Sequence, residues 1–335
     1  MSYLPNFLLI FRTDGLLITF SLTFLLISSC VTSVSLSLDF YSSSCPNVEL
    51  LIKDTVRSAT AVDPTIPGKL LRLVFHDCIV EGCDGSVLVQ GNNTERSDPA
   101  NTSLGGFEVV ENAKRWLEVL CPGMVSCADI LVLAARDAVE IAGGPSVAVP
   151  LGRLDSRTSS AANVRPNMVD TSFSIDEMTQ LFSSKGLSLD DLVILSGAHT
   201  IGKAHCSAFS ERFEEGPKGT LEPIDTSLNK DYAMELIKQC PAGASGAVTV
   251  NNDPVTASIF DIQYYKNLIA GKGLFSSDSV LMSDSQTRNR VEALSANQDE
   301  FFKNWSESFL RMVSIGVKTG NDQGEIRTSC SSFNI

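Results

Sequence analysis

A short apolar segment near the N-terminus, followed by eight cysteines, constrains this 335-residue chain more than any other feature. Residues 16–27 form an uninterrupted run of mostly apolar side chains, with Arg12 before it and small residues after it. This pattern is typical of a secretory signal peptide, and cleavage near Ser35 would remove the ninth cysteine, Cys30. The run is shorter than the ~20 residues that span a bilayer, which disfavours an uncleaved anchor. We predict a signal peptide at 1–35 and a secreted domain at 36–335.

The cysteines beyond this segment are even in number, which in an exported chain predicts four disulfides. Their spacing alone leaves the pairing open. A zinc-binding module built on His76, Cys78, Cys83 and Cys206 is the alternative. Export disfavours it, because an oxidising compartment would convert the thiolates to disulfides.

The charge of the chain restricts its partners. With 39 acidic and 26 basic residues, the formal net charge is −13 at pH 7. This charge disfavours nucleic acid, whose phosphates would be repelled, and a stable association with an anionic membrane. The length is sufficient for a large buried core.

The apolar periodicity predicts an all-α chain with irregular loops, because alternating strand-like runs are few and short. One amphipathic stripe marks a helix that ends before a Cys-Pro pair. Ser126 with Asp129 opens the next helix as a capping pair, and residues 143–145 close it. Residues 175–184 and 299–317 are further predicted helices. The stripe consists of Phe107, Val110, Ala113, Leu117 and Leu120.

An arginine and a histidine interrupt one of the more apolar stretches, LRLVFHDCIVEGCDGSVL, residues 71–88. Arg72 and His76 are four residues apart and therefore share one face of a helix. The neighbouring Leu71, Leu73, Val74 and Phe75 look like core residues. Burying an unpaired guanidinium among them would be costly, which indicates a functional reason for its presence.

A second histidine lies in the stretch SLDDLVILSGAHTIG, residues 188–202. Ser188 is a predicted helix cap, and the following apolar spacing places His199 on the apolar stripe of that helix. A lone histidine there is usually a core residue, but two histidines on apolar faces could approach the two sides of a flat cofactor. The third histidine, His205, falls on a different face, and we interpret it as ordinary.

Seven motifs occur in a fixed order along residues 38–330: VFHDC, GCDGSVL, VSCADIL, AGGP, VPLGR, LSGAHTIG and IFDIQYY. Together they resemble the plant secretory (class III) haem peroxidases. The resemblance implies an all-α haem peroxidase fold with haem b between a distal and a proximal helical lobe. It also implies a monomeric enzyme of the cell wall or apoplast that reduces hydrogen peroxide and oxidises small phenols by one-electron steps. A catalytically silent wall-binding relative is the alternative, which the intact motifs disfavour.

The resemblance implies roles for the distal residues. His76 is expected to take a proton from hydrogen peroxide and return it to the outer oxygen, as general base and then acid. Arg72 is expected to stabilise negative charge on the leaving oxygen. Asn101 is implied to hold His76 in its basic tautomer, Glu95 to support this network, and Phe75 to line the pocket.

On the proximal side, the resemblance implies that His199 ligates the haem iron. Asp278 is then the carboxylate that accepts the other ring hydrogen of His199 and makes the imidazole a stronger donor. Pro150 matches the position whose carbonyl meets aromatic substrates, with an ordinary turn proline as the alternative.

The resemblance further implies two calcium ions, which suit hard oxygen ligands on tight loops. The distal ligands would be Asp77, Val80, Gly82, Asp84 and Ser86. The proximal ligands would be Thr200, Asp253, Thr256 and Asp261, with the Ile259 carbonyl as a further candidate. The implied disulfides are Cys45–Cys121, Cys78–Cys83, Cys127–Cys330 and Cys206–Cys240.

Four positions depart from the usual family pattern, none of them catalytic. Ile79 stands where phenylalanine is common, Gly105 and Leu154 where arginine is common, and Ile262 where asparagine is common. Three asparagines also satisfy the glycosylation pattern, and the implied role of one of them conflicts with a glycan. These asparagines are Asn92, Asn101 and Asn304.

Overall fold

Helices make up most of the described part of the chain, which confirms the predicted all-α class. The computed structural model describes residues 35–217, 219–320 and 323–334. Its α-helices are α1 (Val48–Val62), α2 (Ile66–Val80), α3 (Phe107–Leu120), α4 (Cys127–Ile141), α5 (Val164–Asn167), α6 (Ile175–Ser184), α7 (Leu189–Ser196), α8 (Lys230–Gln239), α9 (Gln263–Ile269), α10 (Ser276–Ser279), α11 (Ser285–Ala296) and α12 (Gln298–Met312). The predicted signal peptide lies almost entirely at residues outside this description, so it remains a prediction.

Two short antiparallel sheets accompany the helices in these ranges. Strand β1 (Lys203–His205) pairs with β4 (Thr249–Asn251), so that Lys203 lies opposite Asn251. Strand β2 (Phe213–Glu215) pairs with β3 (Leu221–Pro223). The first sheet follows His199 directly, and its pairing brings the chain around Asp253 next to that histidine.

Local capping explains where several helices begin. The Ser126 hydroxyl accepts from the Asp129 amide at 3.1 Å, as predicted for α4. At the start of α7, Ser188 and Asp191 form a reciprocal capping box, and α6 has the predicted bounds. Such caps satisfy backbone N–H groups that lack intrahelical partners.

Two predictions about helix extent were wrong. Helix α12 ends at Met312, not at residue 317, because the chain must turn through Gly316 at a φ of +57° to pack on Gly82. A β-carbon on Gly82 would lie 2.6 Å from the Gly316 carbonyl oxygen, so the two backbones are in direct contact. His199 lies beyond the end of α7 in a tighter 3₁₀ turn, Gly197–Thr200.

The main core lies where α2 packs on α4, and most side chains of both helices are buried there. Leu71, Leu73 and Val74 belong to this core, as predicted, whereas Phe75 is only partly buried and packs against it. A smaller apolar cluster lies around α8, β1 and β4. Among the described residues, no helix is both long and apolar enough to cross a membrane.

All eight cysteines beyond the predicted signal peptide form disulfides in the pairing that the family resemblance implied. The shortest loop, Cys78–Cys83, closes the turn directly after α2. The longest, Cys127–Cys330, joins the start of α4 to the C-terminal segment. No thiolate of these cysteines is therefore left for zinc.

Candidate active site

The first histidine site lies on α2. His76 is fully buried, and its Nδ1 lies 2.7 Å from the Asn101 amide oxygen. Because an amide oxygen only accepts, Nδ1 carries the ring hydrogen and Nε2 keeps its lone pair. The Asn101 amide nitrogen in turn donates to the Glu95 carbonyl at 2.8 Å, which fixes its orientation. Nε2 of His76 is buried and has no hydrogen-bond partner among the described residues.

The surroundings of His76 keep its imidazole neutral. Burial, together with the positive charge of Arg72, lowers the pKa of His76 well below 6.5, against a smaller opposite effect of Asn101. A neutral imidazole with one fixed hydrogen and one free lone pair is a Brønsted base ready to accept a proton.

Arg72 shares the face of α2 with His76 but is not a core residue, so its predicted burial was wrong. The side chain is exposed, and it forms no hydrogen bond or ion pair with the residues that the structure describes. Desolvation nevertheless lowers the pKa of Arg72 to about 10. The guanidinium is therefore partly desolvated, and its donors remain available.

The second histidine site is held by a buried carboxylate. His199 Nδ1 lies 2.8 Å from Asp278 Oδ1, and the same oxygen accepts the Tyr264 hydroxyl at 2.9 Å. The Phe275 amide donates to the other carboxylate oxygen at 3.0 Å. Burial opposes ionisation of Asp278, but the three donors, led by His199, hold its pKa below the ordinary value. Asp278 is therefore an anion that fixes the His199 ring and leaves Nε2 as its free nitrogen.

The two histidine sites are joined where α2 meets the chain after His199. A β-carbon on Gly68 would lie 2.6 Å from the Gly202 Cα, so the two backbones touch. A cavity of about 280 Å³ lies at this junction, lined in part by Gly68, Ile201 and Lys203. A larger groove of about 950 Å³ between α1 and α3 contains neither histidine and is unrelated to this chemistry.

Oxygen atoms converge in the loop after α2. Asp77, Asp84 and Ser86 are all buried, and the Ser86 hydroxyl has no hydrogen-bond partner among the described residues. Burial and the nearby Asp84 charge raise the pKa of Asp77 to about 8. Two lysines also contact the oxygen atoms of this loop. Lys318 forms an ion pair with Asp84, and Lys185 donates to the Val80 carbonyl at 2.9 Å.

A second oxygen cluster surrounds the residue after His199. The Thr200 hydroxyl lies 3.0 Å from Asp261 Oδ1, 3.4 Å from Asp253 Oδ2 and 3.4 Å from the Ile259 carbonyl. Thr256 lies 3.2 Å from both carboxylates. One hydroxyl hydrogen satisfies only one of the three acceptors around Thr200. The excess of acceptors is the donor chemistry that a hard cation requires.

The remaining predicted residues lie in ordinary surroundings. Pro150 is half-buried, and its carbonyl already accepts from Arg153 at 2.8 Å. Phe75 is partly buried, with its ring centroid 6.0 Å from that of His76. At Gly105, one of the departures, a β-carbon would lie 3.0 Å from the Lys69 side chain, which would have to shift.

Two residues near these sites were missed at the sequence level. Tyr264 belongs to the IFDIQYY motif, but the motif does not reveal that its hydroxyl reaches Asp278. Lys318 gave no local signal, because its partner Asp84 lies 234 residues earlier. Within the described ranges, no group of three or more histidine, cysteine, aspartate or glutamate side chains is arranged to hold a metal. The zinc module loses its thiolate ligands because Cys78, Cys83 and Cys206 are all in disulfides.

Comparison with known proteins identifies the family. A family model described as "Peroxidase" matches residues 52–297. The chain belongs to the peroxidase family. Among curated relatives, Peroxidase 18 of Arabidopsis thaliana is 60% identical over 314 residues, covering 93% of this chain and 94% of that protein. Peroxidase 46 of Arabidopsis thaliana is 59% identical over 309 residues, with 92% and 94% covered. Peroxidase 5 of Vitis vinifera is 41% identical over 324 residues, with 94% and 97% covered.

These matches confirm the resemblance to plant class III peroxidases and support a peroxidase enzyme that uses hydrogen peroxide and donor substrates. A catalytically silent relative is not favoured. Peroxidases of this family carry haem, and the residues present fit it. The free Nε2 of His76 is a buried orphaned base, and His199 offers a free nitrogen on a ring oriented by a carboxylate.

Proposed function

We propose that this peroxidase is a secreted, monomeric enzyme that reduces hydrogen peroxide and oxidises small phenols in two one-electron steps. The observation that carries the proposal is the His76–Asn101 hydrogen bond of 2.7 Å, which leaves the other ring nitrogen buried and free. A buried base with no structural partner has a chemical task as its best explanation. The apolar leader at residues 16–27 and the four disulfides support export.

On the distal side, the residues of this chain handle the proton. His76 Nε2 accepts the first peroxide proton and then returns it to the oxygen that leaves as water. Arg72, one turn earlier, stabilises the negative charge that develops on that oxygen, which is worth several kcal/mol in such sites, about 3 for a typical donor. Asn101 and the Glu95 carbonyl keep the imidazole in the tautomer that this transfer needs.

On the proximal side, His199 would hold the haem iron through Nε2. Haem b supplies the iron that binds peroxide and stores the oxidising equivalents later drawn from the donors. Asp278 accepts a hydrogen bond from the His199 ring N–H and so increases electron donation from the imidazole to the iron. Pro150, on the loop after α4, is the proposed contact for the phenolic donor, through the carbonyl lone pair that Arg153 leaves free.

The two oxygen clusters are proposed calcium sites that brace the histidines. The distal set adjoins His76 through Asp77, and the proximal set adjoins His199 through Thr200. Their support is the orphaned Ser86 hydroxyl in the first and the surplus of acceptors around Thr200 in the second. Each set offers two carboxylates and neutral oxygens, the mixture that calcium accepts.

Single substitutions of the three histidines test the assignment. In haem-loaded protein, His76→Ala should slow the reaction with peroxide by roughly 10²–10⁴-fold while haem stays bound. His199→Ala should lose or misligate haem, visible in the absorbance spectrum. His205→Ala is the matched control, because the His205 ring bonds the Gly246 carbonyl and no other residue that the structure describes. This variant should leave the spectrum and guaiacol oxidation unchanged. Retained haem in His199→Ala together with a normal peroxide rate in His76→Ala would contradict the proposal.

A further inference from the structure

One carboxylate oxygen of Asp278 serves two donors. Oδ1 accepts the His199 ring hydrogen at 2.8 Å and the Tyr264 hydroxyl at 2.9 Å. Tyr264 and Asp278 are each only 3% exposed, so water competes little for this oxygen. Two hydrogen bonds to one anionic oxygen share its charge, and each weakens the other.

The Tyr264 hydroxyl is a permanent donor in this arrangement. Burial and the neighbouring Asp278 charge raise its pKa well above 10, so the phenol stays protonated across the physiological range. Its ring packs edge-on against the His199 ring, with centroids 5.9 Å apart. The hydroxyl therefore meets the carboxylate from a rigid, buried ring.

We propose that Tyr264 is a positioning residue that limits the donor strength of His199 by taking up part of the Asp278 charge. This inference rests on the proposed function, in which His199 ligates the haem iron. It goes beyond that function because it gives Tyr264 a role of its own. Tyr264 would control how strongly the His199 imidazole donates electrons to the iron.

The direction of the effect follows from the hydrogen bonds. Without the Tyr264 hydroxyl, Asp278 would concentrate its charge on the His199 N–H and make the imidazole more anionic. A more anionic ligand stabilises ferric over ferrous iron and strengthens the bond between iron and nitrogen. Asp278 itself should stay in place, because the Phe275 amide holds its other oxygen.

The neighbouring Tyr265 provides a matched control. It is also fully buried on α9, but its hydroxyl donates to the Val193 and Ile194 carbonyls, not to Asp278. Tyr265→Phe deletes the same group at the same depth. It should reproduce any general loss of stability without altering the charge on His199.

The test compares haem-loaded wild type, Tyr264→Phe and Tyr265→Phe by redox titration and by resonance Raman spectroscopy of the ferrous state. Tyr264→Phe should favour ferric iron on the order of tenfold, equivalent to about 59 mV for one electron, and raise the frequency of the iron–histidine stretch. Tyr265→Phe should leave both values as in wild type. Placing 3,5-difluorotyrosine at position 264 keeps the ring, strengthens the donor and should shift both values the opposite way.

The outcomes separate this inference from the proposed function. If wild type shows a histidine-ligated iron and neither variant at position 264 shifts the potential or the stretch relative to Tyr265→Phe, the inference is wrong and the proposed function stands. A shift toward ferrous iron in Tyr264→Phe would also overturn it, because the hydroxyl would then only hold Asp278 in place. If wild type shows no histidine-ligated iron, both fail together.

Discussion

Gly68 and Gly202 touch through their backbones, which joins the helix of His76 to the turn of His199. A β-carbon on Gly68 would lie 2.6 Å from the Gly202 Cα and 3.0 Å from its nitrogen. Gly202 is held in place because its carbonyl accepts from the Asn252 amide. This close contact therefore helps to fix the helix of His76 against the turn of His199.

Gly68→Ala should destabilise the protein and loosen the haem. Alanine in a helix is favoured over glycine by roughly 0.5–1 kcal/mol, whereas overpacking against a fixed backbone costs about 1–3 kcal/mol. The clash should prevail, so we expect a lower Tm and faster transfer of haem to apomyoglobin. Gly246→Ala is the control, because no atom lies within 4 Å of a β-carbon there. Equal Tm values and equal rates of haem transfer in the two variants would show that the contact between Gly68 and Gly202 limits neither stability nor haem retention.

The rate of the peroxide reaction should persist into acid. Burial and Arg72 lower the pKa of His76 well below 6.5, so the neutral imidazole remains the main form at pH 6 and lower. The value of kcat/KM for peroxide reports the free-enzyme pKa of this base. It should stay flat from neutral pH to well below 6.5 and fall only as His76 becomes protonated. A decline centred at 6.5 would instead indicate a solvated imidazole.

Sequence patterns were sufficient to predict the features that depend on residues close together in the chain. The four-residue spacing of Arg72 and His76 placed both on one face of α2, and the Ser188 cap marked the start of α7. The pattern failed at His199, since apolar spacing does not distinguish a helix from a tight 3₁₀ turn that continues it. It also failed for the exposure of Arg72, because apolar neighbours in the sequence do not reveal whether a side chain between them is buried.

Contacts between distant segments had no local signal of their own. Tyr264 reaches Asp278 only because α9 packs beside the His199 turn, and Lys318 reaches Asp84 across most of the chain. The positions of Asn101 and Asp278 could be named in advance only through the family resemblance. Periodicity by itself would have assigned Asp278 to solvent, whereas the structure buries it beside His199.

The distal calcium should be released more readily than the proximal one. Lys318 forms an ion pair with Asp84, so a cation already competes for one of the distal carboxylates. No lysine or arginine bonds the proximal carboxylates, Asp253 and Asp261, among the described residues. Graded EDTA treatment followed by metal analysis should therefore show one calcium lost before the other, with a lower Tm and an altered iron spin state.

Variants identify which calcium leaves first. Asp84→Asn should lower the content from two calcium ions to one and abolish the early loss, whereas Asp253→Asn should abolish the late loss. Asp170→Asn is the control, because Asp170 is exposed and its carboxylate bonds Ser172 and no other described residue. Active protein that contains no calcium would remove both sites from the proposed function.

The three glycosylation sequons differ sharply in accessibility. Asn92 is exposed in the loop before the 3₁₀ turn of Glu95, and Asn304 is half-buried on α12. Asn101 is buried, with its amide oxygen bonded to His76 and its amide nitrogen bonded to the Glu95 carbonyl. A glycan attaches to the amide nitrogen and is too bulky for a buried network.

Secreted, active enzyme should therefore carry sugar at Asn92, with Asn304 as a second site, and none at Asn101. A glycan on Asn101 would replace one amide hydrogen with a bulky sugar and displace the oxygen that fixes the His76 tautomer, which should abolish the fast peroxide reaction. Peptide mass spectrometry of the haem-containing fraction measures occupancy at each sequon. Thr94→Ala removes the Asn92 sequon without changing that asparagine and should lower the mass by one glycan, while Ser103→Ala should leave the mass unchanged. Substantial occupancy of Asn101 in active enzyme would mean that another group orients His76.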